Sequence, residues 1–159
     1  MNDSAPGGAA GPANDDHASA AWRSVLSLVG WGGRRPPRFP AVALELGLAP
    51  KQLGVLWKLA PGASMPMRAI GESLFCDASY VTDLVDRLEE RGLIERRADP
   101  DDRRVKLIAL TSEGERCRER ALALLFEPPE EFAALDQDEI AELERLLAKA
   151  VATEPVLAS

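Results

Sequence analysis

Polar side chains at helical spacing occupy one side of the segment DASYVTDLVDRLEER, residues 77–91. They are Ser79, Tyr80, Thr82, Asp83 and Arg87. Hydroxyls bond to base edges or phosphates, a carboxylate can accept from the cytosine amine, and arginine can bind phosphate. The opposite side predicts a buried apolar stripe at positions i, i+3, i+4 and i+7, made of Val81, Leu84, Val85 and Leu88. We therefore expect a helix that packs with one face and can place the other in a DNA major groove.

Four of these polar residues also have an alternative interpretation. Ser79 and Thr82 can instead support the helix start or bond backbone carbonyls. Asp83 either accepts a hydrogen bond from a cytosine amine or limits non-specific binding to DNA by repelling phosphate. Arg87 either reaches phosphate or pairs with a carboxylate at helical spacing, namely Asp83, Asp86 or Glu90.

A charged hairpin follows this helix. Strands are predicted at about Leu93–Arg97 and Arg103–Leu110, on either side of the loop ADPDD. Three cations, Arg103, Arg104 and Lys106, lie where they can reach a neighbouring minor groove or its phosphates. The alternative is a solvated turn in which Asp99, Asp101 and Asp102 neutralise the arginines, and Arg104 can bond an acid instead.

The preceding elements complete the motif. LAPKQLGVLWKLA predicts a helix that begins at Pro50, and Met65–Leu74 predicts a short helix after it. Ser64 and Arg68, at the start of that short helix, are candidates for contacts with the DNA backbone. Asp77 is a good N-cap for the helix that follows, and Gly92 is a good stop for it. Together the two helices and the hairpin predict a winged helix-turn-helix.

The chain resembles the MarR family of bacterial transcription regulators. The resemblance rests on VTDLVDRLEERGLIERR, on DPDDRR before a strand, and on L-T-x-x-G at Leu110, Thr111 and Gly114, and it runs from about residue 44 to 125. It implies a mainly α fold with a small β-wing, in which a winged helix-turn-helix domain is flanked by N- and C-terminal dimerisation helices. It also implies that an acid such as Asp102 orients the wing while Arg103 enters the minor groove.

Amphipathic helices are predicted on both sides of the winged core. The first runs from Ala18 to about Gly30, with Trp22, Val25, Leu26 and Val29 on one face, and Arg38–Leu46 resumes after the break GWGGRRPP. Capping boxes at Ser112/Glu115 and Asp136/Glu139 predict helices to about Phe126 and Ala152. In the family such helices intertwine into a homodimer, whose two-fold symmetry implies a pseudo-palindromic double-stranded operator. The alternative is that they fold back on their own domain.

The predicted organisation has five parts. Residues 1–17 form a disordered acidic arm, and 18–48 form the N-terminal dimerisation region. The winged helix-turn-helix domain spans 49–111, the C-terminal dimerisation helices span 112–153, and 154–159 is a tail.

Charge is distributed unevenly along the chain. The net charge is −7, with −3 in residues 1–20 and −7 in residues 127–154, so residues 21–126 carry +3. Affinity for DNA is therefore expected from local arginines and from dimerisation. No apolar run is long enough for a membrane span, and the N-terminus lacks the pattern of a signal peptide, so a cytoplasmic protein is expected.

The composition argues against enzymatic and metal chemistry. The chain has one histidine, His17, and two cysteines, Cys76 and Cys117, without CxxC spacing. We expect no catalytic residues, no metal site and no cofactor. A redox-sensing regulator of the same fold is an alternative, because Arg116, Arg118 and Arg120 would lower the pKa of Cys117 if it were exposed.

Tryptophans indicate a second kind of site. Family members bind small aromatic or phenolic ligands between the dimerisation helices and the winged domain, and this resemblance makes Trp22 a ligand-binding candidate. Trp57 is expected in the core, and Trp31 fits either role. The sequence thus predicts a homodimeric repressor released from its operator by a small molecule, with a winged-helix protein–protein interaction module as the alternative.

Overall fold

The computed structural model describes residues 12–31, 36–102 and 104–152. Within these residues the chain is mainly helical with a small antiparallel sheet, which confirms the predicted fold class. In chain order the elements are α1 (Pro12–Leu28), α2 (Arg38–Glu45), α3 (Pro50–Lys58), β1 (Ser64–Pro66), α4 (Met67–Leu74), α5 (Ala78–Glu90), β2 (Ile94–Ala98), β3 (Lys106–Leu110), α6 (Ser112–Phe126), a 3-10 helix (Glu130–Ala134) and α7 (Gln137–Val151).

The hydrophobic core lies among α3, α4, α5 and the sheet, with α2 and α6 packed on it. Helix α5 contributes the stripe predicted from its sequence, and Val81, Leu84, Val85 and Leu88 are all buried. Their burial removes one face of α5 from water, which fixes the direction in which the polar face points.

The ends of α5 form as its sequence predicts. The side chain of Asp77 accepts a hydrogen bond from the backbone N–H of Tyr80 at 2.8 Å, which satisfies one of the free donors of the first turn. Gly92 follows the helix with a φ of 67°, a left-handed conformation that favours glycine. Helix α3 begins at Pro50, as predicted.

The sheet differs from the prediction in two places. Its strand order is β1-β3-β2, and the third strand, β1, pairs Ser64 with Ala109 of β3. The prediction of a helix from Met65 was therefore wrong at its start, because α4 begins at Met67. Strand β3 begins at Lys106, three residues later than expected, because Arg104 and Val105 belong to the hairpin turn.

The L-T-x-x-G motif joins α6 to the end of α5. The Thr111 hydroxyl donates to the carbonyl of Gly92 at 2.6 Å and accepts from the backbone N–H of Gly114 at 3.0 Å. Thr111, and not the predicted Ser112, is thus the N-cap of α6. A Cβ atom on Gly114 would lie 1.8 Å from the carbonyl oxygen of Leu93, so only glycine fits this contact.

The N-terminal helix begins earlier than expected. Helix α1 starts at Pro12, so the prediction of a disordered arm over residues 1–17 was wrong for residues 12–17, and residues 1–11 lie outside the described residues. The predicted break occurs at Gly30, which has a φ of 87° and whose added Cβ would meet the Pro36 carbonyl oxygen at 2.7 Å. Helix α2 then begins at Arg38, as predicted.

The chain divides into two compact units, the first ending at Glu127 and the second beginning at Pro128. In the second unit, α7 starts with the predicted capping box of Asp136 and Glu139, in which each side chain bonds the other residue's backbone N–H at 2.9 Å. None of its residues is buried, and Leu146 is 49% exposed. None of the described helices combines the length and apolarity needed to cross a bilayer.

Candidate nucleic-acid interface

Helix α5 presents all of its predicted contact residues to solvent. Ser79, Tyr80, Thr82, Asp83 and Arg87 are exposed on the side away from the core. The Ser79 hydroxyl donates to the Asp77 carboxylate at 2.6 Å, and the Thr82 hydroxyl donates to the carbonyl of Ala78 at 2.9 Å. Both hydroxyl hydrogens are thus used within the helix, which leaves the oxygens as acceptors and the Thr82 methyl group for apolar contact.

The hydrogen bond from Ser79 also acts on the cap. Together with the backbone N–H of Tyr80, it lowers the pKa of Asp77 from its ordinary value of 3.8. The cap is therefore a carboxylate at neutral pH, and it strengthens the start of the helix through its favourable interaction with the N-terminal end of the helix dipole.

Arg96 on β2 binds two carboxylates of α5. Its guanidinium donates to Asp86 and to Glu89, and its backbone N–H donates to Glu89 at 3.3 Å. Burial opposes the charge, yet the hydrogen bond that Arg96 donates to Asp86 and the charge of Glu89 raise the pKa of Arg96 above its ordinary value. Sequence reasoning missed this residue, because Arg96 is one of five arginines from position 91 to position 104 and only the fold distinguishes it.

The contacts of Arg96 bear on whether Arg87 pairs with a carboxylate of its own helix or is free to bind phosphate. Asp86, one of the three carboxylates predicted as its partners, is held by Arg96. Among the residues that the structure describes, no ion pair involves Arg87 or Asp83. The guanidinium of Arg87 is exposed on the polar side of the helix and has no carboxylate partner among the described residues.

The turn of the β2–β3 hairpin is built by aspartates. The Asp99 carboxylate accepts from the backbone N–H of Asp101 at 2.8 Å, and the Asp102 carboxylate accepts from that of Arg104 at 3.0 Å. The acids thus shape the turn through backbone bonds. Arg104 and Lys106 are exposed, whereas Arg103, the foremost candidate for a DNA contact, lies outside the described residues.

The two candidates before α5 sit differently from the prediction. Ser64 is exposed on β1, not at a helix start, and Arg68 is exposed on α4, where its Nε atom lies 2.8 Å from Glu72. An exposed ion pair of this kind contributes little and exchanges readily, so it leaves Arg68 able to contact phosphate.

The fold therefore brings together a polar helix face and a basic hairpin on one core. A helix with a buried stripe, preceded by a short helix and followed by an antiparallel hairpin, defines a winged helix-turn-helix. This architecture belongs to proteins that place one helix in a major groove and a hairpin beside it.

Comparison with known proteins identifies the family. The MarR family model matches residues 48–106. "Uncharacterized HTH-type transcriptional regulator YsmB" of Bacillus subtilis is 34% identical over 101 residues, which cover 63% of this chain and 68% of YsmB. "HTH-type transcriptional repressor MdtR" of the same organism is 40% identical over 77 residues, 48% of this chain and 50% of MdtR. The chain belongs to the MarR family.

The matched segments span about half the length of several curated relatives. Over a longer range the fold is shared with MepR of S. aureus, solved as a point mutant bound to an oligodeoxyribonucleotide. That structure has a TM-score of 0.58 and 19% identity, and the match covers 89% of this chain and 95% of that one.

An aromatic cavity of about 950 Å³ lies beside the winged core. Its walls include Phe39, Trp57 and Phe126, with ring centroids 6.4 Å apart for Phe39–Trp57 and 6.0 Å apart for Trp57–Phe126. The prediction of Trp57 as a core residue was wrong, because its side chain is 38% exposed in this wall. Trp31 also lines the cavity, whereas Trp22 is not among the lining residues and is 60% exposed.

The cysteines differ from what redox sensing needs. Burial raises the pKa of Cys117 above its ordinary value, and Glu113 adds to this, although Arg91 and Arg120 act in the opposite direction. The sequence expectation applied to an exposed thiol, and for this half-buried group the effect of burial exceeds that of the arginines. In the described part of the chain, no group of His, Cys, Asp and Glu is arranged to hold a metal ion.

Proposed function

We propose that this protein is a homodimeric transcription regulator that inserts α5 into the major groove of a double-stranded operator. The observation that carries the proposal is the division of α5 into a buried stripe and an exposed polar face beside the basic hairpin. The proposed contacts are those predicted from the sequence: Ser64, Arg68, Ser79, Tyr80, Thr82, Asp83, Arg87, Arg103, Arg104 and Lys106.

Two helices outside the winged core support the homodimer. On α1, Trp22 is 60% exposed, and on α7, Leu147 and Val151 are 42% and 67% exposed. Apolar side chains clustered on amphipathic helices are stabilised when a second subunit covers them. A two-fold dimer would bind a pseudo-palindrome whose half-sites lie about one helical turn apart.

The aromatic cavity supports release by a small aromatic ligand. Its lining combines aromatic rings with cations at Arg38, Lys51 and Lys58, a chemistry suited to a phenol or an aromatic carboxylate. A ligand that binds better to a dimer with the wrong spacing of its two α5 helices would lower the population that binds DNA. The proposed role is therefore that of a repressor, the activity for which the relative MdtR is named.

Hydroxyl-radical footprinting of the full chain on DNA from its own upstream region tests the proposal. We expect two protected half-sites about one helical turn apart, with further protection in the flanking minor grooves where the hairpins lie. Uniform or absent protection at low salt would contradict the DNA-binding function and favour a protein–protein interaction module.

Tryptophan fluorescence tests the ligand part separately. Salicylate, used as a simple aromatic carboxylate probe, should quench the emission of the wild type and release the footprinted DNA. The variant Trp57→Leu should lose both responses, while Trp22→Leu should keep the release of DNA. Equal loss in both variants would contradict the placement of the ligand in this cavity.

A further inference from the structure

The outward line of α5 is acidic, which is unusual for a helix that approaches phosphates. At about 3.6 residues per turn, Ser79, Asp83 and Glu90 lie on the line farthest from the buried stripe. All three are exposed. A carboxylate on this line repels the phosphate backbone. We therefore expect it to make a favourable contact that offsets this repulsion.

Two of the other carboxylates of α5 bind a cation of the protein itself. Asp86 and Glu89 both bind the guanidinium of Arg96, so their charges are compensated within the fold. Among the described residues Asp83 has no such cation, although Arg87 lies one turn away on the same helix. Its two oxygens therefore remain available as acceptors at the surface.

The hydroxyl groups of Ser79 and Thr82, which lie near Asp83 on α5, supply no free donor. The hydrogens of Ser79 and Thr82 are committed to Asp77 and to the carbonyl of Ala78. Near Asp83 these two hydroxyl groups therefore act as acceptors, while the Tyr80 hydroxyl and the Arg87 guanidinium remain as donors on the exposed face. In the major groove, the exocyclic amine of cytosine is a donor that a carboxylate can bind, and a G·C pair is distinguished by it.

We infer that Asp83 is a specificity-determining residue that accepts a hydrogen bond from the amine of a cytosine in each half-site. The inference rests on the proposed function, because it assumes that α5 enters the major groove. Asp83 lies in the N-terminal half of α5, the part of a recognition helix that contacts base edges. Glu90 lies about 10 Å farther along the axis, at the last residue of the helix.

Glu90 makes a matched control. It has the same charge as Asp83 and is likewise exposed, and it also has no ion pair among the described residues. Asp83→Asn and Glu90→Gln each remove one negative charge with little change in size. A purely electrostatic effect should therefore appear in both variants, whereas base recognition should change in the first alone.

The test selects operators from a randomised duplex library with the full-length wild type and with both variants. The wild type should fix a cytosine at one position of each half-site. Asp83→Asn should reduce the preference for that cytosine by about tenfold or more and favour adenine, which asparagine can bind through two hydrogen bonds. Glu90→Gln should keep the wild-type preference, and all three proteins should melt at similar temperatures.

Two results would overturn the inference. If Asp83→Asn selects the wild-type sequence and both variants bind every sequence more tightly by the same factor, Asp83 only repels phosphate. A wild-type consensus without a fixed cytosine would exclude the contact as well. If the wild type enriches no sequence at all, the proposed DNA-binding function fails first.

Discussion

Replacing Arg96 by alanine should loosen the β2–β3 hairpin from the recognition helix. Arg96 is the residue of β2 that binds two carboxylates of α5, Asp86 and Glu89, which lie one turn apart on that helix. Its loss would leave both carboxylates without their partner near the proposed DNA surface. The change should therefore lower both the stability of the fold and its affinity for DNA.

The size of the stability effect follows from exposure. A hydrogen bond to a charged group contributes about 1.5–3 kcal/mol when well formed, and an exposed ion pair contributes about 0–1 kcal/mol. The side chains of Arg96, Asp86 and Glu89 are 25%, 48% and 39% exposed, which places both bonds between these limits. We expect a loss of about 2 kcal/mol in the free energy of unfolding, and a fall of about 4–8 °C in Tm.

Arg97 provides the control, because it is the next residue of the same strand. Its side chain is 55% exposed, and within the described part of the chain its ion pair is with Glu95, two residues away. Arg97→Ala should change stability by no more than about 0.5 kcal/mol. Thermal and urea unfolding followed by circular dichroism measures both variants, and anisotropy with operator DNA measures affinity. Equal destabilisation by Arg96→Ala and Arg97→Ala would refute the role of the Arg96 contacts.

Three further predictions follow from the fold. Gly114→Ala should destabilise the protein by about 3 kcal/mol or more in urea unfolding, because its Cβ would overlap the backbone of Leu93, whereas Gly54→Ala, whose Cβ meets only the tip of Leu74, should cost less than about 1 kcal/mol. The lowered pKa of Asp77 means that its cap is fully effective above the unfolded value of 3.8 and is lost as the pH falls through the lower folded value. Asp77→Ala should therefore flatten the loss of stability below about pH 4, and an unchanged acid titration would contradict this. Leu147→Glu, at a position that is 42% exposed, should leave helical content unchanged and halve the mass measured by sedimentation, whereas an intact dimer would exclude α7 from the interface.

Local sequence predicts the elements whose causes are local. The stripe of α5, its Asp77 cap, the Gly92 stop and the Asp136 capping box all depend on residues within one or two turns. Strand β1 was missed because its cause is distant: Ser64 and Met65 become a strand only by pairing with Ala109 and Ile108. The segment lacks an alternating pattern, and the apolar spacing that continues into α4 favours a helix.

In the candidate site, too, features with local causes could be predicted from the sequence, whereas features that depend on distant contacts could not. The exposed face of α5 could be predicted, because helical periodicity assigns each residue to a side. The role of Arg96 could not, because the sequence does not show which arginine of β2 faces the carboxylates of α5. Similarly, Trp57 fits a core position by spacing, and only the packing of Phe39 and Phe126 against it shows a cavity wall.

Fluorescence anisotropy of labelled upstream DNA, titrated with the full chain over a salt series, tests the central claim most directly. Arg103→Ala is measured beside the wild type, with Arg116→Ala on α6 as the control for loss of one exposed arginine. We predict one dimer per operator, affinity that falls steeply with salt, and a loss of about tenfold or more in Arg103→Ala alone. Binding no tighter than to random DNA at low salt, or equal affinity of all three proteins, would contradict the account.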